Sequence, residues 1–130
     1  MAGNSGKENR VGLLVRGQNS GGSANSGYLG MLVCRDTDGS GGDGYEMLFR
    51  IWRLTSDNFA EELYESTDQS STYPSNQAHS LRLEVSGDIL TLKAGANEAA
   101  PTTTITTYDI SGDATKYTTG KYPGILKGRG

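Results

Sequence analysis

Three aspartates in one glycine-rich loop are the first residues whose types and spacing suggest chemistry. The carboxylates of Asp36, Asp38 and Asp43 lie close together along the chain, and carboxylate oxygens are the ligands that calcium prefers. With Ser40 in the fifth place and a glycine in the sixth, the loop imitates the start of an EF-hand. Its twelfth place is Met47 instead of the bidentate glutamate, which excludes an EF-hand. Two interpretations remain: a solvated turn, which the pattern favours, and a calcium ion held by the three aspartates. We expect no other cofactor.

The same loop contains a glycine pattern that is typical of dinucleotide-binding proteins. Gly39, Gly41 and Gly44 spell G-x-G-x-x-G. A dinucleotide site needs a helix after the last glycine, so that the helix N-terminus faces the pyrophosphate. Here residues 44–54 follow, which we predict to be a strand because apolar residues occur on both of its faces, as in a strand covered on both sides. We therefore exclude a dinucleotide site.

Nucleophilic catalysis is not indicated by the sequence. His79 is the only histidine, and no G-x-S-x-G segment is present. Cys34 is the only cysteine and lies in an apolar strand, which is a poor environment for a thiolate. We therefore expect a structural histidine, a buried structural thiol, no catalytic residues and no enzymatic activity.

Two aromatic residues of the longest predicted strand are candidates for stacking on sugar rings. Trp52 and Tyr45 both lie in the segment 44–54, but alternation places them on opposite faces. Trp52 shares its face with Leu48 and Leu54, which favours a core position. A carbohydrate site that uses Trp52 or Tyr45 is the alternative.

Charge is unevenly distributed along the chain. The net charge is -3 and the isoelectric point is near 5.1, which argues against a general nucleic-acid binder. From residue 116 onward there are four basic residues and no acid, so that segment carries +4 and the remainder carries -7. Two interpretations remain: a solvated tail, which the pattern favours, and docking on an acidic partner surface by this basic segment. Its residues are Lys116, Lys121, Lys127 and Arg129.

Apolar runs separated by glycine-rich turns predict the fold. Segments of this kind recur along the chain, and in residues 79–86 apolar and polar residues alternate strictly. Residues 59–65 fit either a helix or a strand, and their surroundings favour a strand. We predict a flexible arm over residues 1–10 and, over residues 11–130, a single antiparallel β-sandwich of about eight strands with jelly-roll connections.

No run of about 18 apolar residues and no N-terminal apolar segment is present, so neither a membrane span nor a signal peptide is expected.

Residues 44–126 resemble the concanavalin A-like (laminin-G-like) jelly-roll family, including modules found in phage structural and bacterial surface proteins. The resemblance is carried by the hairpin HSLRLEVSGDILTL at residues 79–92 and by TTGKYPGI at residues 118–125. It implies a jelly roll. Glucanases of this family use a strand-borne E-x-D-x-x-E or E-x-D-x-E cluster, whereas the acidic segment here is EELYE at residues 61–65. The resemblance therefore implies a module without hydrolase activity.

These features favour a non-catalytic structural or binding module. We expect a viral particle protein, such as a capsid decoration (cement) or tail-associated protein, that is made in the host cytoplasm and found in the virion. Its expected partners are a viral coat or tail protein and further copies of itself, for example in a trimer, and we expect no nucleic acid or membrane partner. The alternative is a carbohydrate-binding, lectin-like module assisted by calcium.

Overall fold

Alternation of apolar and polar residues between glycine-rich turns gives a structure built from β-strands. The computed structural model describes residues 8–17, 26–37, 44–56, 59–113, 116–118 and 124–129. The segment at residues 59–65 is a strand, as predicted. The strands are β1 (Glu8–Val15), β2 (Gly27–Asp36), β3 (Tyr45–Ser56), β4 (Phe59–Glu65), β5 (Ser80–Ser86), β6 (Ile89–Gly95), β7 (Thr103–Asp109) and β8 (Gly124–Arg129).

The strands form two antiparallel sheets. One sheet has the order β4-β3-β2-β1-β8 and the other has the order β5-β6-β7. Every described strand pair is antiparallel. The predicted all-β class is confirmed, and the two sheets are consistent with a β-sandwich. None of the described residues belongs to a helix with the length and hydrophobicity needed to cross a membrane.

The main core lies between the two sheets. Alternate residues of β3, including Phe49 and Ile51, pack with Leu90 and Leu92 of β6 without solvent exposure. The rings of Phe49 and Tyr73 meet edge to face, with centroids 5.0 Å apart. The opposite face of β3 is also apolar, as the sequence predicts for a strand covered on both sides.

The first strand begins earlier than the sequence suggests. β1 starts at Glu8, whereas the polarity of residues 1–10 predicts an arm that ends before Val11. Residues 8–10 therefore belong to the five-stranded sheet, where they pair with β2. Residues 1–7 lie outside the described residues.

A loop continues the pairing of β3 where β4 ends. The Ser66 amide donates to the Phe49 carbonyl at 2.9 Å, and the Gln69 amide donates to the Met47 carbonyl at 2.7 Å. The Met47 amide in turn donates to Asp68 Oδ1 at 3.0 Å. This hydrogen bond is the main cause of the lowered pKa of Asp68. The loop therefore satisfies backbone groups of β3 that no strand pairs.

Candidate binding surface

The face of the five-stranded sheet that points away from the three-stranded sheet, here called the outer face, carries a second apolar cluster. Its buried members are Leu14, Leu29, Met31, Val33 and Leu48. Gly12 lies directly opposite Met31, and a Cβ at Gly12 would meet Met31 Cγ at 2.7 Å. The missing side chain of Gly12 therefore leaves room for Met31. Met31 and Val33 have no solvent exposure, so the outer face is a packed layer.

Two long side-chain contacts cross this face from β1 to β3. The guanidinium of Arg10 lies over the ring of Trp52, 5.3 Å from its centroid. Arg50 of β3 reaches Glu8 of β1. Because β2 lies between β1 and β3, both contacts pass over β2 and contribute to covering its apolar side chains.

The contact between Arg50 and Glu8 is the centre of a buried ionic network. Arg50 Nη1 and Nη2 donate to the two carboxylate oxygens of Glu8 at 2.9 and 2.7 Å. Arg50 Nε donates to Glu65 Oε2 at 2.8 Å and lies 3.4 Å from Glu62 Oε1. Arg10 Nε donates to Glu8 Oε1 at 2.9 Å. One guanidinium therefore links β3 to both β1 and β4.

This network favours the charged forms of Glu8 and Arg50. Burial is the largest single influence on Glu8 and raises its pKa, but the hydrogen bonds and charges of Arg50 and Arg10 together outweigh it, so the pKa of Glu8 is lowered. The pKa of Arg50 is raised, chiefly by its hydrogen bonds to Glu8. A general acid in glycoside hydrolysis needs a raised carboxyl pKa. The network therefore suits a structural brace and not a pair of catalytic carboxylates.

The two candidate sugar-stacking residues do not form one platform. Trp52 packs against the outer-face cluster together with Leu54, and Leu48 is a buried member of that cluster. Tyr45 packs instead against the core between the sheets. The predicted placement on opposite faces is therefore found. One side of the Trp52 ring already contacts Arg10, which limits how a sugar ring could stack there.

The three aspartates of the candidate calcium site are only partly described. Asp36 is the last residue of β2, while Asp38 and Asp43 lie outside the described residues. Within the described ranges, no three histidine, cysteine, aspartate or glutamate residues are grouped so as to hold a metal ion. The calcium site remains a prediction.

The predicted basic docking residues occupy different places in the fold. Lys116 Nζ lies 3.3 Å from Asp88 Oδ2 at the turn between β5 and β6. Lys127 and Arg129 lie on β8, an edge strand of the five-stranded sheet. Lys121 lies outside the described residues. Docking through this basic segment stays a prediction.

A second ionic group lies on the inner face at the other end of β3. Arg53 is buried, and its Nη2 contacts Glu61 Oε2 at 2.5 Å, while Nη1 lies 2.9 Å from Asp113 Oδ2. The local sequence pattern does not single out Arg50 or Arg53. Two arginines in a strand that is apolar on both faces indicate that carboxylate partners are needed, but not which residues supply them.

His79 and Cys34 occupy structural positions. His79 Nδ1 accepts a hydrogen bond from the Asn97 amide at 3.0 Å, and Nε2 lies 2.7 Å from the Pro74 carbonyl oxygen. With Nδ1 as acceptor and Nε2 as donor, the ring joins two loops. Cys34 is partly buried against the main core, and burial raises the pKa of its thiol.

Three variants of His79 should show how much each of its two hydrogen bonds contributes to stability. We expect His79→Ala to lower the free energy of unfolding by about 1–3 kcal/mol, because it loses both bonds and the edge contact with Tyr73. Asparagine can retain the Asn97 contact and glutamine the Pro74 contact, so each should recover part of the loss. Urea unfolding measures the three variants. An alanine variant as stable as the parent would contradict the structural role.

No protein-family model, curated protein or solved structure matches the chain.

Proposed function

We propose that the chain is a non-catalytic structural module that attaches to a larger assembly. The observation that carries the proposal is that ionisable side chains bond to one another or to backbone groups of the fold. Glu8, Glu65 and Arg50 connect three strands, Arg53 holds a second ionic group, and both nitrogens of His79 are engaged with loops. Groups committed in this way hold the sandwich rigid and are poorly placed to exchange protons with a substrate.

The proposed assembly is a virus particle, with the module acting as a capsid decoration (cement) or tail-associated protein on coat or tail protein. Support comes from the resemblance of residues 44–126 to modules of phage structural proteins and from the small β-sandwich itself. In this proposal the two sheets are connected as in the concanavalin A-like jelly roll, the protein is located in the virion, and its basic segment takes part in docking.

Cosedimentation tests this function. Purified chain is mixed with capsids, and separately with tails, of the virus that encodes it. We expect saturable, stoichiometric incorporation into one of the two, because a cement or tail-associated protein occupies a fixed number of lattice sites. A glycan array is run alongside, with and without a calcium chelator. If the chain binds neither capsids nor tails, the virion proposal is wrong.

Glycan binding without particle binding would instead identify a lectin-like module. In that event Trp52→Ala, compared with Tyr45→Ala on the opposite face, shows which aromatic residue takes part. Near-UV circular dichroism of both variants separates loss of binding from loss of folding.

A further inference from the structure

Strand β5 forms one edge of the three-stranded sheet among the described strands, and its hairpin with β6 determines which of its backbone groups face outward. Gly87 and Asp88 form a two-residue turn between Ser86 and Ile89, which makes Ser86 and Ile89 the first hydrogen-bonded pair. The backbone groups of Leu81, Leu83 and Val85 therefore point away from β6. A hydrogen bond at the start of β6 supports this assignment. The Ile110 amide donates to the Asp88 carbonyl oxygen, so the backbone groups of Leu90 and Leu92 face β7 and those of Ile89 and Thr91 face β5.

Within the described residues, this edge has no bulge and no strand paired with its outer side. The register of β5 with β6 runs from Ser80 to Ser86 with no bulge, whereas the pairings of β4 and β7 both contain irregularities. β5 contains no proline. Val11, on the face of β1 that points toward β5, is 46% exposed. The edge is thus regular, and the three-stranded sheet leaves Val11 of the neighbouring β1 partly exposed.

The sequence of β5, SLRLEVS, is complementary to itself in the antiparallel direction. A two-fold axis at Leu83 places Arg82 opposite Glu84 of a second copy and Leu81 opposite Val85. It also places Ser80 opposite Ser86. Residues that oppose each other share a face in every case, because alternation puts Arg82 and Glu84 on the outward side and the apolar residues on the core side. The side chains of Arg82 and Glu84 are 56% and 36% exposed, so both are accessible.

We propose that two copies of this chain pair through β5 about that axis, which joins their three-stranded sheets into one six-stranded sheet. The interface is isologous and uses the same surface of both copies. Two Arg82–Glu84 pairs fix its register, and the backbone groups of Leu81, Leu83 and Val85 supply its hydrogen bonds. This inference goes beyond the proposed function and names a two-fold contact, in place of the trimer expected from the sequence.

Charge reversal tests the register. Arg82→Glu places glutamates opposite glutamates, and Glu84→Arg places arginines opposite arginines. We expect each variant alone to associate more than about tenfold more weakly than the parent, because like charges then meet directly. An equimolar mixture of the two restores both opposite-charge pairs and should form heterodimers. Sedimentation equilibrium measures all three samples. Thr107→Glu, on the same outward side but on β7 at the far edge of the sheet, is the control and should associate like the parent.

A second measurement uses the unaltered chain. Amide hydrogen exchange of Leu81, Leu83 and Val85 should slow as protein concentration rises from micromolar to millimolar, while exchange at β7 should not. A monomer at all concentrations, a trimer, or a dimer that is indifferent to both charge reversals would overturn the proposal. Circular dichroism confirms that each variant is folded before its association is measured.

Discussion

Replacing Arg50 with methionine should lower the free energy of unfolding by about 3–5 kcal/mol, the range for breaking a buried ion pair by removing one partner. Methionine fills much of the same space but leaves the carboxylate of Glu8 with only Arg10, in a site where its side chain is 9% exposed. It also removes the link to Glu65 on β4. Urea unfolding followed by tryptophan fluorescence measures the loss.

The control lies on the same face of the sheet. Arg35 pairs with Glu46 at 2.8 Å, but both side chains are about one-third exposed. Arg35→Met should therefore cost less than about 1 kcal/mol. The double variant Glu8→Met/Arg50→Met removes both buried charges and should be more stable than the sum of the single losses predicts. Additive losses would show that the two residues do not act as a pair.

The loss should also depend on pH. Because the pKa of Glu8 is lowered in the folded protein, its contribution is fully present above the pKa of the unfolded chain and is lost as the pH falls through the folded value. The destabilisation by Arg50→Met should therefore be largest at neutral pH and should shrink well below about pH 4. A loss that is equally large in acid would mean that Arg50 acts through packing alone.

The elements of this fold are readable from the sequence because they depend on local signals. Period-two alternation in β5 predicts the exposed Arg82 and the buried Leu83, and both are found. The Ser-Gly-Asp turn predicts the hairpin, and Gly87 adopts a positive φ of 57° there. Alternation also predicts that Trp52 lies on the face of Leu48. Each of these inferences needs only residues that are close together in the chain.

The buried ionic network around Arg50 and Glu8 was not predictable in the same way. Glu8 is polar and sits among glycine-rich residues, so local reasoning assigns it to an arm. Its burial depends on Arg50, 42 residues away, and the contact between them spans an intervening strand. The contact between Arg10 and Trp52 has the same origin. Knowledge of the strand order is required before either contact can be expected, and no local pattern supplies that order.

Gly95→Ala, at the end of β6, should lower the free energy of unfolding by about 3 kcal/mol. A Cβ at Gly95 would collide with the carbonyl oxygens of Ala99 and Ala100, where the loop after β6 folds back over the strand. Asn97 and Glu98 hold that loop in the left-handed region, with φ of 54° and 68°. Because the obstacles are backbone atoms, the loop must move as a whole to make room.

Two further variants identify the obstacle. Gly112→Ala is the matched control, because nothing lies within 4 Å of its Cβ position, and it should change stability by less than about 0.5 kcal/mol. The Ser80 hydroxyl would also approach the new methyl group, at 2.6 Å, and it bonds the Ala99 carbonyl at 2.5 Å. If the carbonyls are the main obstacle, Ser80→Ala should not rescue Gly95→Ala, since it relieves only the hydroxyl contact and loses a hydrogen bond. Full rescue in thermal unfolding would place the strain on the serine side chain and would leave the loop free to accept a residue larger than glycine.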